Sequence, residues 1–128
     1  MIDKSSSKIE TKIEDEKSKW YRTVLYPRLM AELAANNQKI AEYRALKSAI
    51  TNLINDLHGA QGYVRRVREA LTEAVSFSGF EVATSRIGDY ANSINTGILK
   101  LETSINEIDM QVTKLEEANR AIRAQLGS

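Results

Sequence analysis

Apolar residues recur along this chain at helical spacing, and the alternation that marks a strand is absent. The strictest stretch runs from Ile87 to Leu126. Ile87, Ile94, Leu101, Ile108, Leu115 and Ile122 come every seven residues, and Ala91, Ile98, Ile105, Val112, Asn119 and Leu126 follow four residues after each. Eleven of these twelve positions are apolar, which describes a narrow seam facing one neighbouring helix. Asn119 is the exception, and a lone asparagine in such a seam fixes register.

A second register holds from Leu29 to Val75. Its first row is Leu29, Asn36, Tyr43, Ile50, Leu57, Val64 and Leu71, and three residues on from each come Glu32, Lys39, Leu46, Leu53, Ala60, Val67 and Ala74. Four residues on come Leu33, Ile40, Lys47, Ile54, Gln61, Arg68 and Val75. The apolar stripe is therefore wider than two packed helices need, and a wide stripe belongs to a helix with more than one neighbour. The expected surplus, available to a partner, is Leu33, Ile40, Ile54 and Val75.

Between the two registers lies a break, Ser76-Phe77-Ser78-Gly79-Phe80. Ser78 and Glu81 have the spacing of a capping box, which places the N-cap of the second long helix at Ser78. Gly79 tolerates conformations that strain other residues where a chain reverses, and Phe77 and Phe80 are placed to cover the ends of the seams or to enter a partner. The predicted fold is all-α: a long, coiled-coil-like antiparallel helical hairpin over residues 28–128, turning near 76–80, with an additional N-terminal helix.

That N-terminal helix is expected over residues 8–26, after a mobile polar tail of residues 1–7. Ser7-Lys8-Ile9-Glu10 has capping-box spacing, and Pro27 removes a donor and crowds the preceding turn, so the helix should end or kink at Tyr26-Pro27. Ile9, Ile13, Trp20 and Val24 share one face. Trp20 and Tyr21 either pack back on the hairpin or anchor a partner, since Trp and Tyr dominate interface hot spots. Gly59, Gly62, Gly88 and Gly97 interrupt the long helices at about 1 kcal/mol each against alanine. They imply close helix approach, a bend or a hinge.

Composition narrows the function. With 18 basic and 17 acidic residues the chain has no field to draw it to nucleic acid or an anionic membrane. Arg65-Arg66-x-Arg68, interleaved with Glu69 and Glu73, reads as a solvated face. There is no cysteine, and the single histidine, His58, has no carboxylate beside it to form a catalytic set. Neither metal-ligand spacing nor a phosphate-binding loop occurs, so a non-enzymatic protein without cofactor or metal is expected. No apolar core of signal-peptide length and no apolar run of membrane-spanning length is present, so the expected location is the cytoplasm, with any export using a route that needs no signal peptide.

Two long helices joined at Phe77-Ser78-Gly79, with no cysteine and no catalytic set, resemble the WXG superfamily of small type VII (ESX) secretion proteins of Gram-positive and actinobacterial species. In that family Trp-x-Gly occupies the hairpin turn, where Phe77 here stands for the tryptophan. The layout is closer still to the small helical partners of LXG-domain toxins. The resemblance covers roughly residues 29–128 and implies a targeting chaperone that pairs with the helical N-terminal region of a larger toxin before export. None of Tyr21, Tyr26, Tyr43, Tyr63 or Tyr90 begins the Tyr-x-x-x-Asp/Glu export signal of the family. The resemblance therefore implies that the partner supplies the signal. The regular heptads support a second expectation, a self-associating structural or adaptor protein of a phage particle or cytoplasmic scaffold. Partners are thus a helical heteropartner or further copies of this chain.

Overall fold

The computed structural model describes residues 4–74 and 77–127, with side chains placed from Lys12 onward. It is an all-α helical hairpin: α1 (Lys4–Trp20), a π-helical turn (Tyr21–Leu25), α2 (Tyr26–Glu73) and α3 (Phe80–Gly127). α2 and α3 are each 48 residues long. The chain divides into two compact units, one of Met1–Ala41 with Thr113–Ser128 and one of Glu42–Val112.

At the N-terminal end α1 begins at Lys4, so residues 4–7 are its first turn and not a tail, and Ser7 lies inside the helix where it cannot be an N-cap. Adding a turn to an existing helix fixes one residue per hydrogen bond gained, and Ser and Lys are tolerated there. Residues 1–3 of the expected tail lie outside the described residues.

The chain does not end its helix at Pro27 either. In an α-helix Pro27 would offer no N–H to the Thr23 carbonyl and its ring would press on that carbonyl. The turn before it is instead widened, and the Tyr26 N–H donates to the Tyr21 carbonyl, five residues back. This changes which side chains face α3. Counting back from Leu29 in threes and fours, an unbroken α-helix would bring Tyr26 and Arg22 to the seam, but these are exposed and Leu25 and Tyr21 are half-buried. The Tyr21 hydroxyl donates to the Leu126 carbonyl at 3.2 Å, in the last turn of α3.

Fully covered positions of the first unit are Leu29, Ile40, Ile122 and Asn119, and those of the second are Ile54, Ile98 and Ile108. All lie on the seam that α2 and α3 share. The α3 seam is the predicted one. On α2 the structure corrects the prediction: Ile40 and Ile54 are 6% and 8% exposed, so the row that includes Leu33, Ile40 and Ile54 is half of the intramolecular seam. The row left over is the one carrying Leu46 and Leu53, which are 49% and 46% exposed.

Seam positions of α2 that are polar find partners on α3. Asn36 Nδ2 donates to Asn119 Oδ1 at 3.1 Å, and Asn119 Nδ2 donates to Asn37 Oδ1 at 2.9 Å. Lys47 reaches Asp109 at 2.7 Å, and Gln61 Nε2 donates to Asn95 Oδ1. The Lys47–Asp109 pair is half-exposed, so its stabilisation lies within about 1 kcal/mol. Its geometry still favours one alignment of the two helices.

Gly79, with φ +89°, precedes α3, and the Ala83 N–H donates to its carbonyl at 2.9 Å. Gly79 is thus the N-cap, one residue later than the predicted Ser78. The Phe80 N–H donates to the Phe77 carbonyl at 3.1 Å, and Ser78 has negative φ, so Phe77-Ser78-Gly79-Phe80 has the form of a type II β-turn with glycine at its third position. Capping geometry yields here to the turn, because only the third position needs positive φ. A Cβ at Gly79 meets nothing within 4 Å, so the cost of a substitution is conformational. Gly79→Ala is expected to lower stability by roughly 1–2 kcal/mol in a urea titration, with no change in helix content; an unchanged midpoint would show that the turn relaxes freely.

Candidate functional site

Surface features of the first unit centre on α1 and the wide turn. Tyr21 is level with the last turn of α3, and residues 12–20 before it are all exposed. Among them are Ile13 (47%) and Trp20 (53%), and the surface continues through Val24, Tyr26 and Met30, each at least 40% exposed. The Tyr21 and Tyr26 rings lie 6.1 Å apart at 53°, which stiffens the base of this patch. Trp20 is therefore an open side chain, whereas Tyr21 is half-buried and tied to Leu126.

Two grooves line opposite flanks of the second unit. One, of about 620 Å³, is bounded by Tyr43, Leu46, Ile50, Ser104, Ile108 and Gln111. The other, of about 320 Å³, is lined by His58, Gln61, Val64, Arg65 and Arg68 of α2 and by Ala91 and Asn95 of α3. His58 Nδ1 lies 2.9 Å from Gln61 Oε1, a helix-surface contact with no carboxylate in it. Among the described residues no three His, Cys, Asp or Glu side chains gather as metal ligands, and no helix is long and apolar enough to cross a membrane.

Of the residues expected to meet a partner, Ile40 and Ile54 are occupied within the hairpin, Leu33 is half-buried, Trp20 is exposed and Val75 lies outside the described residues. Phe77 is 49% exposed and its ring packs edge-on to Phe80 at 5.6 Å. Sequence reasoning missed the exposed row of Leu46, which borders the larger groove, and Leu53, although its three-residue offset from the first row was visible. It also missed Asn36 and Asn37 as partners of Asn119.

Helical glycines do not mark close approach. An added Cβ at Gly59 or Gly62 meets nothing within 4 Å, and at Gly97 it makes ordinary contact, 3.8 Å from Leu57 Cδ1. Gly59→Ala and Gly62→Ala are each expected to raise the thermal midpoint, by roughly 0.5–1 kcal/mol of stability. A loss of stability in either would reveal a strained backbone there.

No family model, curated protein or solved structure matches the chain.

Proposed function

We propose that this chain is a non-enzymatic helical partner protein that holds a helical segment of a larger protein against α1. The observation that carries the reading is the stretch of α1 from Lys12 to Trp20, fully exposed yet bearing Ile13 and Trp20. An exposed tryptophan on a helix has the chemistry of an interface anchor, since such residues carry a large share of binding energy when covered. The wide turn beside it adds weight, because π-helical turns frequently occur at functional sites.

In its specific form the partner is the helical N-terminal region of an LXG-type toxin, and this chain is its targeting chaperone for type VII export. Support for that form comes from the Phe77-Ser78-Gly79 turn between two helices of equal length, which matches the layout of the WXG superfamily. The test is co-expression of the full chain with the N-terminal helical region of an LXG-type toxin encoded beside it. A stable complex is expected, with Trp20→Ala weakening it at least about 10-fold by calorimetry while circular dichroism stays unchanged. Absence of such a gene, or a complex indifferent to Trp20, defeats the proposal.

A further inference from the structure

Beyond Ile54 the seam changes character. The α2 row that holds Ile40 and Ile54 continues with Gln61 and Arg68, and the α3 row of Ile98, Ile105 and Val112 begins with Ala91. Between Ile54 and Ile98 no described residue is fully covered. Ile87 and Ile94 stand in the same row as Ile108 and Ile122, yet they are only half-buried where the latter two are each 7% exposed. The groove of about 320 Å³ opens into this stretch, lined there by Gln61, Gly62 and Val64 of α2 and by Ala91 and Asn95 of α3.

The glycines inside the long helices lie in the same stretch: Gly59 and Gly62 in α2, Gly88 and Gly97 in α3. Packing requires none of them. An added Cβ meets nothing within 4 Å at Gly59 and Gly62 and makes ordinary contacts of 3.8 Å at Gly88 and Gly97, and none of the four has a positive φ. A glycine in a helix interior disfavours the helix about 5-fold against alanine, through the backbone freedom it gives the open chain, so the four together weigh several hundred-fold against closure. The base of the same unit, residues 42–56 and 98–112, has no glycine and holds the fully covered Ile54, Ile98 and Ile108.

We infer that residues 57–97 form an arm that opens as a cooperative unit of its own, losing helix and seam together while the base stays closed. Segments that move in function are drawn from the least stable part of a fold, and that part is marked by few covered side chains and weakly held helix. Closed, the arm half-buries Leu57, Val64 and Leu71 of α2 and Ile87 and Ile94 of α3. Open, it uncovers all five, so the device is a gated apolar surface that the closed hairpin withholds. The turn around Gly79 links the two halves of the arm, which keeps reclosure intramolecular and fast. The arm shares no residue with the Trp20 patch, so either assignment stands if the other fails.

Native-state hydrogen exchange of the full chain in low urea reads the opening directly. Amides of residues 60–71 and 84–95 are expected to open at least about 100-fold more often than those of residues 45–54 and 100–110, with one urea dependence shared across the arm. Ile108→Val, in the base, is expected to speed exchange of the base amides about 5-fold and to leave the arm amides unchanged, because the arm opens without disturbing Ile108. Gly59→Ala combined with Gly62→Ala is expected to slow the arm amides at least about 10-fold. Three results overturn the inference: equal acceleration of both sets by Ile108→Val, arm amides indifferent to the two alanines, or exchange that falls off gradually from the turn with no shared urea dependence, which is simple fraying.

Discussion

Ile54→Asp is expected to unfold the hairpin, while Leu53→Asp, one residue earlier, is expected to leave it folded. Ile54 is 8% exposed and packs in the α2–α3 seam of its unit, so a carboxylate there loses its hydration among apolar side chains. The cost, at least about 4 kcal/mol, is comparable with the whole stability of a small domain. Leu53 is 46% exposed and faces the open flank, where a carboxylate keeps its water. Circular dichroism in dilute buffer reads the difference directly, as loss of the helical signal in the first variant and its retention in the second. Equal behaviour of the two would mean that the seam runs through the wrong row of α2.

The second large effect concerns Asn119, which is 2% exposed and bonded to both Asn36 and Asn37. Asn119→Ala removes two hydrogen bonds, leaves a small cavity and strands the half-buried amide of Asn36, a combined loss of about 2–3 kcal/mol. The change Asn36→Leu with Asn119→Leu has the opposite sign: a fully apolar layer should raise the thermal midpoint above that of the native chain. Register is then the quantity that suffers. The α3 seam repeats so evenly from Ile87 to Leu126 that a slip of one heptad preserves nearly all apolar contacts, and the polar layer distinguishes the native alignment. Thermal melts of the two single variants and the double, closed as a thermodynamic cycle, are expected to give a coupling near 1 kcal/mol between Asn36 and Asn119. Additive effects would show that the two amides act independently.

That layer also marks where sequence reasoning stopped. The class of fold, the break at Phe77 to Phe80 and the whole α3 seam follow from heptad spacing, because in α3 only one pair of rows is apolar. In α2 three adjoining rows hold apolar residues, and no periodicity can say which two of them meet α3. The row with Lys47 and Gln61 looks like the poorer candidate for burial. It is nevertheless in the seam, because long polar side chains bury their stems and carry their ends to Asp109 and Asn95 at the edge. The choice among rows thus depends on what the opposite helix offers, which is information absent from either helix alone. The candidate site shared that limitation: Trp20, named for a partner, is exposed, but Ile40 and Ile54 were assigned to a partner when α3 already covers them. Of the two outcomes expected at Tyr26-Pro27, an end or a kink, the chain does not end its helix there, since a proline ends a helix only if the turn before it cannot widen.

The widened turn from Tyr21 to Leu25 has a consequence for anyone who splices this chain. It holds one residue more than the helix on either side would use over the same advance, so heptad numbering carried across it slips by one. A designed coiled coil grafted onto Leu29 in place of the natural leader must start one letter out of phase with the natural sequence, or its apolar edge will point to solvent where Leu25 and Tyr21 now point inward.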